Sequence, residues 1–362
     1  MFICRLSGGG QAPGARSCPR QGPGAGPFAA VSGARYGARR LQEENVRRIG
    51  RYEVIAGLST GGMAELYLAS TKGPGGFRKF VALKKLLGDV QRDRNFARMF
   101  LDEARITALL THPSIAQVFD LGEDDNGELF IAMEFVAGQD LSKIAHACRK
   151  QGSRMPIGFA CRVVHDLCRA LHYAHHFVDP AGRAAPVIHR DIAPKNVMIT
   201  YEGNVKVIDF GLALARGRLE TTAVGTIKGT AGYLSPEQVY GKTLDGRTDL
   251  YSAGVLLHEL LAGQRLFTGT NRVDVMQKIV EGKIRTPREI NPEVPGTLSE
   301  VVMKAVAKHR GERFGTGRDM ARAIELACGG ELFDEEKAAG FMRERFREKL
   351  SQTRAMFAPV VT

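Results

Sequence analysis

The feature that most constrains the fold of this chain is a change in the period of its hydrophobic residues near Gly138. Before this point apolar residues alternate with polar ones, which indicates short strands, and after it they recur at helical spacing. Strands are predicted at 51–58, 64–71, 79–86, 115–121 and 129–135, and one helix is predicted over 93–110, between the third and fourth strands. Helices are predicted at 140–150, 156–177, 247–263, 271–281, 297–308 and 317–328. Strands followed by helices predict an α+β, bilobal chain, with a small antiparallel sheet in the first lobe and a larger, mainly helical second lobe.

The first 49 residues differ in composition from the rest of the chain. Residues 1–50 hold eight arginines, two glutamates and ten glycines, so half of the net charge of +12 lies there. Such a segment cannot bury enough apolar surface to offset the entropy lost on ordering, so we predict a disordered basic tail over 1–49. A nucleic-acid partner is not expected, because no interleaved aromatic residues and no binding motif accompany the arginines.

Composition and cysteine spacing argue against several classes of protein. No apolar run approaches the ~20 residues that a membrane-spanning helix needs, and residues 1–50 contain no apolar segment typical of a secretory signal. The six cysteines form no CxxC pair, which argues against a zinc ribbon or a disulfide framework. We therefore expect a cytoplasmic protein with reduced thiols and no membrane span.

Two features of the first lobe are typical of a phosphate site. The segment Leu58–Leu66 places a glycine-rich turn between two predicted strands, where backbone N–H groups can approach phosphate oxygens. Lys84 lies in the third strand, and Glu103 follows nineteen residues later in the predicted helix. An ion pair between them would aim the ammonium group at a phosphate. A hairpin without a ligand and a surface salt bridge are the plain structural alternatives.

Two further motifs lie in the second lobe. Residues 189–196 read HRDIAPKN and residues 209–211 read DFG, so Asn196 follows Asp191 by five residues and Asp209 follows it by eighteen. Asp191 can accept the proton of a hydroxyl group or orient that group. The side-chain oxygens of Asn196 and Asp209 are hard ligands of the kind that suits Mg²⁺. Both motifs at this spacing are hard to explain by structure alone.

By the order and wording of these motifs the sequence closely resembles the eukaryotic-like (Hanks-type) protein kinases, and in particular their bacterial Ser/Thr branch. The resemblance covers residues 51–328. It includes the hinge MEFV at 133–136, the peptide-binding segment GTAGYLSPE at 229–237 and the segment DLYSAG at 249–254. In this family the arginine matched by Arg313 pairs with the glutamate of the peptide-binding segment.

The resemblance implies the bilobal protein-kinase fold and an ATP-dependent transfer of the γ-phosphoryl group to Ser or Thr of protein substrates, in bacterial signal transduction. It places the N-lobe at 50–136 and the C-lobe at 137–329. Residues 330–362 form an extension, in which 334–352 has the apolar spacing of an amphipathic helix. This helix either packs back on the C-lobe or docks a partner.

The resemblance also assigns residues to the reaction, with ATP as the donor and Mg²⁺, or alternatively Mn²⁺, as the metal. Lys84, held by Glu103, binds the α- and β-phosphates, and Asp191 orients the substrate hydroxyl. Asn196 and Asp209 hold the metal. The implied contacts of ATP with the glycine-rich loop, the adenine pocket and the hinge come from Leu58, Ser59, Gly61, Gly62, Leu66, Ala82, Lys84, Met133 as gatekeeper, Glu134, Val136 and Met198.

The chain departs from the family pattern in two places. Ser59 and Ala64 stand where the family has the first and third glycines of its GxGxxG loop. Ala193 stands where most Ser/Thr kinases have lysine, while Lys195 lies where tyrosine kinases carry arginine. Because a lysine stem can reach the same phosphate from there, we count Lys195 among the catalytic residues. Thr230, a substrate-binding residue by resemblance, favours the Ser/Thr class, and dual or tyrosine specificity is the alternative.

The loop from Asp209 to Glu237 predicts regulation by phosphorylation. Arg190 directly precedes the catalytic aspartate and can pair with a phosphate on this loop. Autophosphorylation between two copies would need a transient homodimer. The candidate phosphosites are Thr222, Thr226 and Thr221.

Two other classes of function are weighed against a protein kinase. A pseudokinase scaffold binds ATP and partners without efficient transfer, and it usually lacks one of the four charged or metal-binding residues kept here. A small-molecule phosphotransferase of related fold usually lacks the Ser-Pro-Glu segment that this chain has at 235–237.

Overall fold

The computed structural model describes residues 47–61, 64–91, 94–210 and 231–357. The strands are β1 Arg48–Ile49, β2 Tyr52–Thr60, β3 Ala64–Lys72, β4 Arg78–Leu86, β5 Val118–Glu123, β6 Leu129–Glu134, β7 Gly138–Asp140, β8 Val197–Thr200 and β9 Val205–Val207. The helices are α1 Gly88–Gln91, α2 Arg94–Leu109, α3 Leu141–Lys150, α4 Ile157–His175, α5 Pro236–Val239, α6 Arg247–Ala262, α7 Arg272–Glu281, α8 Pro287–Ile290, α9 Gly296–Ala305, α10 Gly317–Ala327, α11 Glu335–Arg345 and α12 Arg347–Phe357.

The first six strands form one antiparallel sheet in the order β1-β2-β3-β4-β6-β5. Because side chains alternate between the faces of a strand, β4 contributes to two apolar clusters. Val81 and Leu83 lie in one cluster, while Ala82 and Leu86 lie in another with Phe100 of α2. Lys84 therefore shares the face of the sheet that α2 covers.

The second lobe is built around two helices most of whose residues are buried. Eleven residues of α4 and fourteen of α6 are buried, and both helices join one large core cluster. A three-stranded sheet in the order β7-β8-β9 lies beside this core. Its strands carry the two motifs of the second lobe, because Asn196 directly precedes β8 and Asp209 follows β9 by two residues.

These observations confirm the predicted α+β, bilobal fold. The extension differs in detail, since the helix predicted within 334–352 is two helices, α11 and α12. Phe346 between them has φ −122° and ψ 32°, which are not helical values, and the second helix continues to Phe357. Of the predicted tail, 1–46 lies outside the described residues. Among the described helices, none combines the length and apolar character needed to cross a membrane.

Candidate active site

The backbone before Asp191 is anchored by a buried carboxylate of α6. Asp249 accepts hydrogen bonds from the backbone N–H groups of His189 and Arg190, each at 2.8 Å, and its Oδ2 lies 2.7 Å from His175 Nε2. Burial would raise the pKa of Asp249, but these hydrogen bonds hold that pKa below its ordinary value. The ionised carboxylate thus fixes the chain two residues before Asp191.

The side chain of His189 connects the two motifs of the second lobe. It is fully buried; its Nδ1 accepts the N–H of Asp191 at 3.3 Å, and its Nε2 lies 3.0 Å from the carbonyl of Ile208. Since Nδ1 is the acceptor, Nε2 carries the proton and donates to Ile208. The ring of Phe210 packs against the imidazole, with 4.7 Å between ring centroids. One histidine thereby sets the position of Asp191 relative to Asp209.

Both motifs contain a residue in the left-handed region of backbone conformation. Arg190 has φ 67° and Asp209 has φ 59°, and within the described part of the chain these are the non-glycine residues with positive φ. Such conformations typically cost about 1–3 kcal/mol each and persist where the surroundings fix them. Gln238 donates to the carbonyl of Arg190 at 2.9 Å, and Thr107 of α2 donates to the carbonyl of Phe210 at 3.2 Å.

Asp191 is surrounded by the two residues that the sequence associates with it. Asn196 donates from Nδ2 to the carbonyl of Asp191 at 2.7 Å and to its Oδ2 at 3.0 Å. The ammonium group of Lys195 lies 3.2 Å from the same Oδ2, with 44% of the lysine side chain exposed. Ala193 instead is buried in the core of the second lobe. The cation next to Asp191 is therefore supplied from position 195.

Lys84 contacts Asp209 of the DFG motif across the cleft between the lobes. Its Nζ lies 2.6 Å from Oδ1 of Asp209, and both side chains are 13% exposed. Glu103 belongs to α2, but its side chain lies outside the described part of the structure, so its pairing with Lys84 stays a prediction. Lys84 and Asp209 are 125 residues apart in sequence, so their contact is a product of the fold.

The side-chain oxygens of Asn196 and Asp209, next to the DFG motif, match Mg²⁺ in their chemistry. Ile208 donates its N–H to the carbonyl of Asn196 at 3.0 Å, which brings Asn196 and Asp209 side by side. An amide oxygen and a carboxylate are oxygen ligands for a hard cation, and Mg²⁺ usually takes one or two protein ligands together with phosphate oxygens and water. Over the ranges that the structure describes, no group of three or more His, Cys, Asp or Glu could hold a metal by itself. The oxygens of Asn196 and Asp209 are of the kind that accompanies phosphate oxygens and water around such a cation.

The predicted adenine contacts lie on both sides of the hinge that joins the lobes. Ala82, Met133 and the half-buried Leu66 belong to the cluster under α2, whereas Met198 lies on β8 of the second lobe. Val136 of the hinge is buried.

The glycine-rich loop opens from the end of β2. Leu58 is half-buried and Ser59 is exposed. Gly61 donates its N–H to the carbonyl of Ala64 at 2.9 Å, which closes the turn. Gly62 lies outside the described residues.

The sequence did not indicate a role for Lys206, which ties the hinge to the second lobe. Its Nζ lies 2.7 Å from Oε1 of Glu134, and Oε2 of Glu134 also accepts the N–H of Gln117 at 3.2 Å. Lys206 precedes the second motif by three residues, and its side chain is largely buried. A lysine within a short apolar strand was the signal that could have found it.

The peptide-binding segment is fixed by a buried ion pair. Arg313 donates to both carboxylate oxygens of Glu237, at 2.7 and 2.8 Å, which confirms the predicted pair. Thr248 donates to the same carboxylate at 2.8 Å. Burial would raise the pKa of Glu237, but the guanidinium beside it holds that pKa below its ordinary value. The predicted loop residues Thr221, Thr222, Thr226 and Thr230 lie outside the described residues.

The comparisons with known proteins agree with this arrangement of residues. Residues 52–346 match the family model described as the protein kinase domain. The tyrosine-protein kinase MasK of Myxococcus xanthus is 39% identical over 276 residues, which are 76% of this chain and 43% of that protein. The serine/threonine-protein kinase PknB of Mycolicibacterium smegmatis is 38% identical over 292 residues, which are 79% of this chain and 44% of that protein. This chain thus spans less than half the length of these curated relatives.

A solved structure agrees in fold. The kinase domain of PknI from Mycobacterium tuberculosis superimposes with a TM-score of 0.59 and 28% sequence identity. The match covers 80% of this chain and 100% of the PknI domain. Together with the family match over most of its length, this likeness shows that the chain belongs to the protein kinase domain family.

Proposed function

We propose that this chain is an ATP-dependent protein kinase that phosphorylates Ser or Thr of protein substrates, acting in bacterial signal transduction. The observation that carries the proposal is the convergence of two groups at the cleft: the Lys84–Asp209 ion pair, and Asp191 with Asn196 and Lys195 around its carboxylate. Phosphoryl transfer depends mainly on positioning and charge neutralisation, and these groups supply both.

In the proposed reaction Asp191 orients the acceptor hydroxyl and takes its proton. The hydroxyl oxygen forms a bond to the γ-phosphorus, and the bond from that phosphorus to the bridging oxygen of ADP breaks. Lys84 binds the α- and β-phosphates, and Lys195 stabilises charge on the transferring group. Asn196 and Asp209 would hold Mg²⁺, or Mn²⁺ in its place, which neutralises phosphate charge when it is bound.

The acceptor residue is proposed from the relatives and from the peptide-binding segment. PknB is named a serine/threonine kinase, and its likeness to this chain supports the same class here. A tyrosine acceptor is the second candidate, because MasK, which is named a tyrosine kinase, is 39% identical. A scaffold without activity is not favoured, since Lys84, Asp191, Asn196 and Asp209 are all kept and assembled.

We also propose the partners and the cellular location of this protein. Protein substrates and ATP are the expected partners, and autophosphorylation in trans would bring two copies together transiently. A cytoplasmic location is supported by cysteine chemistry, because the four cysteines in the described ranges are free and buried.

Phosphosite mass spectrometry of the purified chain, with and without MgATP, tests the proposal. We expect phosphate on serine or threonine after incubation, and less than about a tenth of that amount in Asp191→Asn, because a positioned proton acceptor contributes about 10²–10⁴-fold. Asp125→Asn, at an exposed position in the turn between β5 and β6, is the matched control. Transfer by Asp191→Asn above that level would refute the role of Asp191, and phosphotyrosine alone would select the second candidate.

A further inference from the structure

One face of α12 is half-buried, although no residue of this helix is fully buried. The half-buried residues recur at intervals of three and four, which is the spacing of one helical stripe, and the residues between them are exposed. The stripe consists of Lys349, Leu350, Thr353, Met356 and Phe357. The helix thus has one less exposed face, which ends at Phe357.

The near end of the extension is fixed to the second lobe through α11. Met342 is fully buried and joins the core cluster of that lobe, as does Ala338. Gly203, in the turn between β8 and β9, leaves the space that α11 occupies, because a Cβ there would run into the backbone of Glu335 and Ala339. This close approach makes α11 a rigid anchor for the helix that follows.

The far end of α12 reaches the first lobe and the hinge. The ring of Phe357 meets the ring of Phe80 edge-on, with 4.4 Å between centroids, and that of Phe135 with 5.7 Å. Phe80 lies in β4 of the first lobe, and Phe135 lies in the hinge. An α12 of eleven residues is about 16 Å long, which is the span from its anchor on one lobe to this contact on the other.

Both aromatic partners of Phe357 adjoin the proposed adenine pocket. Phe80 shares a face of β4 with Ala82, because side chains alternate along a strand and the β3–β4 pairing runs without a bulge. Phe135 packs against the cluster that contains Ala82 and Met133. Phe357 is thus separated from the pocket by a single layer of side chains.

We propose that Phe357 is a positioning residue of the nucleotide site. Anchored on the second lobe through α11, it fixes the rings of Phe80 and Phe135 beside the adenine pocket, so that the pocket is formed before the nucleotide arrives. The inference rests on the proposed function, because it takes the hinge to be where adenine binds. Without the ring, binding must also order the side chains of Phe80 and Phe135, and that cost lowers the affinity for nucleotide.

The test compares the full chain with Phe357→Ala, Phe357→Tyr and Arg354→Ala. Arg354 lies on the exposed face of the same helix and gives the matched control. For each protein we would measure the Kd for MgADP by calorimetry, kcat and KM for ATP, and the Tm. In Phe357→Ala we expect Kd and KM to rise about three- to tenfold with kcat within twofold, while Phe357→Tyr and Arg354→Ala behave like the parent protein.

The outcomes separate this inference from the proposed function. A parent chain that binds MgADP, together with a Phe357→Ala variant of unchanged Kd, would overturn the inference and leave the kinase proposal standing. A fall in kcat and Tm at unchanged Kd would show a merely structural role and also overturn it. A parent chain that binds no MgADP would refute both. If Phe357→Ala does not fold, Phe357→Leu is measured instead, with a smaller rise in Kd expected and an unchanged Kd again counting against the inference.

Discussion

Replacing Lys195 by alanine should lower turnover more than it weakens ATP binding. The lysine ammonium lies 3.2 Å from Oδ2 of Asp191, so it reaches the point where the acceptor hydroxyl must lie if Asp191 takes the proton. Ala193, where the resemblance to the Ser/Thr kinases implies a lysine, is buried and carries no charge. If Lys195 stabilises the transferring phosphoryl group, its contribution belongs to the transition state and appears in kcat.

The size of the effect follows from the exposure of the lysine. Removing one preorganised donor from a buried site of developing charge typically lowers kcat about 10²–10³-fold. Because 44% of the Lys195 side chain is exposed, water screens its charge, and the effect should lie at or below the lower end of that range. We therefore expect a fall in kcat of roughly 10- to 100-fold, which corresponds to about 1.4–2.8 kcal/mol of transition-state stabilisation.

Steady-state kinetics with a protein substrate, at varied ATP concentration, would measure this effect. Lys195→Arg keeps the positive charge and should retain most of the turnover, whereas Lys195→Met keeps only the apolar stem and should behave like Lys195→Ala. A Lys195→Ala enzyme with unchanged kcat would refute the reasoning. A rise in KM alone would also refute it, because it would show that the lysine binds the ground state and the transition state equally.

Three further predictions concern stability and regulation. Arg313→Ala should lower the free energy of unfolding, measured by urea titration, by about 3–5 kcal/mol, because it leaves the carboxylate of Glu237 buried and unpaired. Arg247→Ala, which breaks a partly exposed pair with Asp245, should lower it by about 1 kcal/mol or less. The urea midpoint should fall as the pH is lowered from about 5. Glu237 and Asp249 have folded-state pKa values below their ordinary ones, so the unfolded chain binds these protons first. A midpoint that is constant down to pH 3.5 would contradict this. Phosphatase treatment should reduce activity toward an added substrate. Replacing Thr221, Thr222 and Thr226 together by alanine should reduce activity to the same level. A triple variant as active as the phosphorylated protein would show that the loop is not the switch.

The long elements of the fold could be predicted from the sequence because their apolar pattern extends over several turns. The helices predicted at 156–177 and 247–263 are observed at Ile157–His175 and Arg247–Ala262. The strands β7, β8 and β9 were missed, because three or four residues are too few to establish a period of two. The break at Phe346 was missed for a related reason, since helical spacing of apolar residues continues across it.

The site was predictable in its residues but not in its contacts. Asp191, Asn196 and Asp209 stand in short motifs whose order along the chain carries information. The contact of Lys84 with Asp209 joins residues 125 positions apart, and the contact of Asp249 with the N–H of His189 joins residues 60 apart. No local pattern encodes such separations.

The positions of these contacts also indicate why the second lobe tolerates so many buried polar groups. A buried carboxylate such as that of Asp249 is costly to desolvate, and an apolar residue in its place would often be as stable or more so. Its hydrogen bonds instead fix the backbone of Arg190 in a left-handed conformation that the chain would otherwise leave. The same conformation recurs at Asp209, where Thr107 of α2 donates to the carbonyl of the next residue. Because both strained residues belong to the motifs that meet in the cleft, the polar groups of this core serve to place the carboxylates of Asp191 and Asp209, at a cost in folding free energy that the apolar residues of α4 and α6 offset.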